Sequence, residues 1–102
     1  IASGKADIVA MGRQSLTDPE TPNKAKEGRF DEIRNCIACH HGCVKNLLNN
    51  VPIQCILNPT LGRESEVTLK KTEAPKNIMV IGSGPAGLEA AITAASRGHR
   101  KR

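Results

Sequence analysis

Cys36, Cys39, Cys43 and Cys55 stand in the pattern C-x2-C-x3-C-x11-C, and they are all the cysteines in the chain. A two-residue gap brings two thiolates to one metal centre, and the third and fourth then close the far side of a cage. Whatever fold forms here must deliver four sulfurs to one small volume. The 102 residues include one Phe and neither Tyr nor Trp, so a conventional core would be thin. Chains this short bury a smaller fraction of their surface on folding than large domains do and often depend on a metal or on disulfides. Nothing marks an oxidising compartment, which argues against two disulfides.

Two metals remain open. Four-cysteine zinc sites commonly show two separate C-x2-C knuckles, and only the first pair has that spacing here. The pattern therefore favours a [4Fe-4S] cluster on the four cysteines, with zinc as the alternative. His40 and His41 lie inside the cysteine loop. Either could replace a cysteine, but four cysteines already complete the shell, so both are read as exposed loop residues. Around the site, Gly42 permits close backbone approach, Asn35 can satisfy local polar groups and Pro52 restrains the return towards Cys55.

Fifteen basic and ten acidic residues give a formal charge of +5, with the excess between Lys70 and Lys76 and in Arg100, Lys101 and Arg102. Four thiolates on a dipositive centre would add about −2. No aromatic residues are interleaved with the basic ones for bases to stack on, so nucleic acid is not an expected partner. The start of the chain lacks a signal-peptide pattern, and no apolar run is long enough to span a membrane. The expectation is a cytoplasmic protein with no membrane contact.

Along the chain, Ala6 to Met11 is a short apolar run ended by Gly12, the pattern of a buried strand in a parallel sheet entering a glycine turn. Asp18 then suits the cap of a helix starting at Pro19, with Glu20 in its first turn, Lys24 and Lys26 near its end and Gly28 just past it. Arg29 to Glu66 has no long periodic segment. It holds a short helix with Val44, Leu47 and Leu48 on one face, and an extended piece from Pro52 to Leu57. Thr68 to Lys76 is polar, charged and broken by Pro75, as in a surface connection. Asn77 to Ile81 is a second buried-strand pattern, followed by a helix from Pro85 to Arg97 with Gly98 at its C-terminal cap.

Between that strand and helix lies Gly82-Ser83-Gly84-Pro85-Ala86-Gly87, which fits G-x-G-x-x-G. The first glycine allows the tight turn, the second lets a pyrophosphate approach the backbone and the third lets helix and strand pack closely. The helix N-terminus faces the phosphate charge. A lone glycine pattern is weak, but the flanking strand and helix make this a dinucleotide-binding turn. The acidic residue expected on the ribose about twenty positions on would lie past Arg102, and Glu89, on the helix, does not match it by spacing. The chain reads as a fragment that by itself would hold a dinucleotide poorly.

Taken in order, ADIVAMGRQSLTDPETPNK, RNCIACHHGC with the distant Cys55, CILNPTLGRE, and IMVIGSGPAGLEAA with RGH resemble the iron-sulfur flavoenzymes related to 2,4-dienoyl-CoA reductase, trimethylamine dehydrogenase and enoate reductase. The resemblance implies an α/β fragment in three parts. Residues 1–28 would end an FMN-binding TIM barrel, with Ala6 to Met11 as its last strand and Gly12 and Arg13 at the FMN phosphate. Residues 29–67 would carry the cluster, and 68–76 would link to a Rossmann-like FAD domain beginning at 77–102. The implied chemistry runs from NAD(P)H to FAD, through the cluster to FMN, and on to an activated C=C bond of a small unsaturated substrate. No residue here is assigned a catalytic role, and the isolated segment is expected to be inactive. The competing class is a small zinc-stapled binding module whose basic stretches contact an acidic partner.

Overall fold

The computed structural model describes Ile1 to Lys101; of the basic end, Arg102 lies outside the described residues. The chain divides into two units, Ile1–Glu64 and Ser65–Arg102.

In the first unit α1 spans Arg13–Thr17 and α2 spans Thr21–Lys26, followed by a 3-10 helix at Phe30–Glu32 and α3 at Val44–Leu48. The strand expected at Ala6 to Met11 does not form: the segment is irregular with a bend at Asp7, and Ile8 is 86% exposed. An apolar run becomes a strand only when a neighbour takes its backbone N–H and C=O groups, and among the described residues no strand pairs with it. The next residues, read as a turn, instead coil into α1, with Gly12 at its N-cap.

The helix expected from Pro19 starts later, at Thr21, and the proline in its first turn is Pro22. Asp18 still organises this start. Its Oδ1 accepts from the Glu20 N–H at 3.1 Å, and its carbonyl accepts from the Thr21 N–H and hydroxyl. Lys24 and Lys26 lie in the last turn, as expected from the dipole. Gly28, at φ +74°, ends the helix: its N–H reaches the Ala25 carbonyl and that of Arg29 reaches Lys24, the paired bonds of a Schellman cap. Past α3 the extended stretch is shorter than expected, because the chain turns at Cys55, which forms an isolated bridge with Asn58.

The second unit is a β-α-β arrangement. Asn77–Ile78 (β1) pairs in parallel with Arg100–Lys101 (β2), with α4 at Pro85–Ser96 between them in sequence. β1 stops three residues short of the expected Ile81, which is 87% exposed, because β2 offers only two residues to pair with. Gly87, Ala91 and Ala94 recur at helical spacing on the less exposed side of α4, and Ala94 is 7% exposed. Gly98, at φ +85°, closes α4 with a second Schellman pair, its own N–H to Ala95 and that of His99 to Ala94. The stretch before β1 is tied to that same end: the Thr72 N–H donates to the Arg97 carbonyl, Arg97 Nε to the Lys70 carbonyl and the Lys76 N–H to His99 Nδ1.

Small residues set the closeness of this unit. A Cβ on Gly87 would run into the carbonyl oxygen of Gly82 and meet Val80 Cγ1 at 3.5 Å. Because the obstacle is backbone, it cannot swing aside. Gly87→Ala is expected to loosen α4 by about 1–3 kcal/mol, the usual range for overpacking. Amide exchange over residues 85–96 then quickens by tenfold or more, and unchanged protection would contradict the tight approach.

Candidate metal centre and nucleotide turn

All four cysteines are free thiols and all four line one cavity of about 350 Å³ including its open mouth, walled in part by Leu16, Ile37 and Ile56. Cys39 is exposed and the other three are half-buried. Among the described residues no three His, Cys, Asp or Glu side chains gather closely enough to grip one ion. The sulfurs therefore share a cavity without meeting at a point.

The loop bearing Cys36 is clamped by side chains of α1 and of the turn after it. Gln14 Oε1 accepts from the Cys36 N–H at 2.9 Å, while its Nε2 donates to the Arg34 carbonyl at 3.0 Å and to Thr21 Oγ1 at 2.8 Å. Asp18 Oδ2 accepts from the Arg34 N–H at 3.0 Å and from Lys24 Nζ at 2.7 Å. Between them these two side chains serve three backbone groups of residues 34–36, much as a neighbouring strand would. Burial by itself would raise the Asp18 carboxyl, but hydrogen bonds from Lys24, Arg34 and Glu20 together with the Lys24 charge outweigh it and hold the group below its ordinary 3.8.

Cys55 is tethered from the same side. Asn58 Nδ2 donates to the Leu16 carbonyl at 2.9 Å, and its Oδ1 accepts from the Thr60 N–H and hydroxyl. Arg34 Nη1 donates to the Leu57 carbonyl at 2.9 Å. The remaining strap joins the Cys43 loop to the return segment through the Gln54 N–H and the Gly42 carbonyl at 2.8 Å. Gly42 is buried, and a Cβ there would lie 2.7 Å from the Gln54 carbonyl oxygen. This is the close approach expected of it. Asn46 Nδ2 on α3 holds the Pro52 carbonyl at 2.9 Å.

Within the loop, Ala38 and His40 take left-handed conformations at φ +53° and +55°, which L-residues adopt at some cost. His40 and His41 are exposed. Arg13, at the start of α1, lines the cysteine cavity and its Nη1 donates to His40 Nε2. Gly12 beside it is exposed, with open space where a Cβ would stand. In the other unit, Gly82 has φ +111°, Gly84 is the N-cap of α4, Pro85 opens the helix and Gly82 to Ala86 are exposed. A Cβ on Gly82 or Gly84 would meet nothing, so the turn is open in front of the helix N-terminus. Gln14, Asp18 and Asn58 were not singled out from sequence as supports of the cysteines; their partners lie 16 to 42 residues away. No local pattern in the sequence marks them as such.

No protein-family model matches the chain. It is 50% identical over 102 residues to an NADH oxidase of Thermoanaerobacter brockii, covering 98% of this chain and 16% of that protein. A cinnamate reductase of Clostridium sporogenes is 47% identical over 100 residues, covering 98% of this chain and 15% of the reductase. Among solved structures, the 6-hydroxypseudooxynicotine amine oxidase of Pseudomonas geniculata N1 superposes with a TM-score of 0.84 at 38% identity, over 98% of this chain and 16% of the oxidase.

Along nearly its whole length the chain is homologous to one part of these oxidoreductases. It spans about one sixth of the length of these relatives. The iron-sulfur flavoenzyme resemblance carried by the cysteine and glycine motifs thus extends over nearly every residue of the chain.

Two substitutions test the clamp. Asp18→Asn keeps the shape but removes the charge that draws Lys24, and is expected to cost the first unit about 2 kcal/mol at neutral pH. Since the folded carboxyl sits below its ordinary 3.8, its contribution is complete above that value and fades as pH falls through the lower folded value. Urea unfolding followed at pH 7 and again in acid should show the gap between wild type and variant closing. Gly42→Ala should displace the Gln54 backbone and lower metal uptake by the four cysteines severalfold, read by metal analysis after gel filtration.

Proposed function

We propose that the chain is the electron-relay segment of an NAD(P)H-dependent flavin oxidoreductase that reduces an activated C=C bond. The observation that carries this is the convergence of four free cysteines on one cavity in a chain half identical to an NADH oxidase. Cys36, Cys39, Cys43 and Cys55 would hold a [4Fe-4S] cluster, which when bound supplies one-electron transfer between FAD and FMN. A single zinc with bonds of about 2.3 Å would draw its sulfurs to one point. The spacing, with one C-x2-C pair where four-cysteine zinc sites commonly show two, supports the larger cluster.

In this reading residues 1–28 end a barrel, 29–67 carry the cluster, 68–76 connect, and 77–102 begin the FAD domain. Gly12 and Arg13 would face the FMN phosphate, the backbone through close approach and the guanidinium through paired donors. Gly82, Ser83, Gly84, Pro85, Ala86 and Gly87 would receive the FAD pyrophosphate. Supporting that, the turn is exposed, Gly84 caps a twelve-residue helix and Gly87 lies against Gly82, so backbone N–H groups and the helix dipole are available to a negative group. NAD(P)H and an unsaturated small molecule are the proposed partners of the whole enzyme. A cytoplasmic setting is consistent with the described helices, none of which is long and apolar enough to cross a membrane.

Anaerobic purification with iron and sulfide supplied tests the proposal. The expected product is brown, contains iron and sulfide in equal amounts, and bleaches on reduction. Replacing Cys39 by Ala should abolish most of the colour. A colourless chain holding one zinc per molecule would overturn the relay and favour a zinc-stapled module.

A further inference from the structure

We infer that the Thr17 hydroxyl donates a hydrogen bond to the Cys55 ligand sulfur of the cluster and thereby raises the cluster's reduction potential. The inference rests on the relay function proposed above. Thr17 is 4% exposed, one of few buried residues in the first unit. It lines the cysteine cavity, and its Oγ1 lies 3.6 Å from Cys55 Sγ. The same oxygen is 3.1 Å from the Arg13 carbonyl, one turn back along α1.

A hydroxyl has one proton, so these two acceptors compete for it. With Cys55 as a neutral thiol, the carbonyl is the better acceptor. A metal ligand must be a thiolate, and a charged acceptor binds a donor roughly twice as strongly as a neutral one. On loading, the proton therefore turns from Arg13 to the sulfur. The Cys36 N–H has no such freedom, because Gln14 Oε1 already accepts it. A donor on a ligand sulfur withdraws charge and favours the more negative, reduced cluster, which raises its potential. Thr17 is thus a tuning residue that acts through Cys55.

The test compares Thr17→Val, which keeps the shape and removes the proton, with Thr17→Ser, which keeps the proton, in the full chain reconstituted with iron and sulfide. Potentiometric titration followed by electron paramagnetic resonance reads the midpoint. The valine variant is expected to be reduced less readily by roughly tenfold in equilibrium constant, or about 59 mV for a one-electron couple, while the serine variant matches wild type. A valine variant that loads its iron and keeps the wild-type midpoint overturns the inference and leaves the relay function untouched. Should the valine variant fail to load, the wild-type chain decides alone. An Fe–S(Cys) stretch that shifts on exchange into D2O, in wild type and in Thr17→Ser, supports the bond, and its insensitivity overturns it. Failure of wild type to take up iron and sulfide overturns the relay reading together with the inference, before any variant is made.

Discussion

Gathering four sulfur ligands on one cavity is the constraint on which the first unit depends. Neutral thiols do not draw one another together, so before a metal centre arrives the backbone around them must be held by other groups. That hold comes from polar side chains. Gln14 and Asp18 grip residues 34–36, Asn58 grips the carbonyl of Leu16, and Gly42 lets the two arms of the cysteine loop touch. The buried set reflects this: Thr17, Asp18 and Thr21 are buried, while Phe30, Ile37, Leu47 and Leu48 are exposed. A unit built this way has little apolar burial to stabilise it, and the proposed metal centre would supply the rest.

The second unit solves a different problem with the same economy of side chain. The start of its helix comes against the Gly82 carbonyl because Gly87 carries no side chain to keep them apart. A large apolar contact is replaced by proximity, and the ends are defined by backbone bonds at Gly98 and by the carbonyl of Arg97 accepting from Thr72. The result leaves the turn between β1 and α4 open, as a phosphate-binding turn must be.

For the proposed relay, α1 is the element that matters most beyond the cysteines. Arg13 at its start faces His40 and the cysteine cavity, and Thr17 at its end approaches Cys55. Gln14 between them fixes the backbone of Cys36. If Arg13 also meets the FMN phosphate, as the family resemblance implies, one short helix touches both redox centres of the relay.

Local chemistry was legible in the residues alone. Cysteine spacing, the glycine pattern, the stops at Gly28 and Gly98 and the short helix at Val44–Leu48 depend on neighbours within a few positions, and the same residues carry the likeness to the flavoenzymes. Strand extents were not legible: Ala6 to Met11 has the composition of a strand, and Asn77 to Ile81 that of a longer one, but a strand exists only as far as its partner does. Nor could the sequence reveal that Gln14 and Asp18 serve the cysteine loop, that Arg13 faces His40, or that Thr17 lies by Cys55. Those pairings join residues 16 to 38 positions apart. Residue types and short spacings determined which ligands the chain is proposed to bind, whereas tertiary structure decided which side chains hold the cysteine loop, because a hydrogen bond across a fold depends on distances that no local pattern encodes.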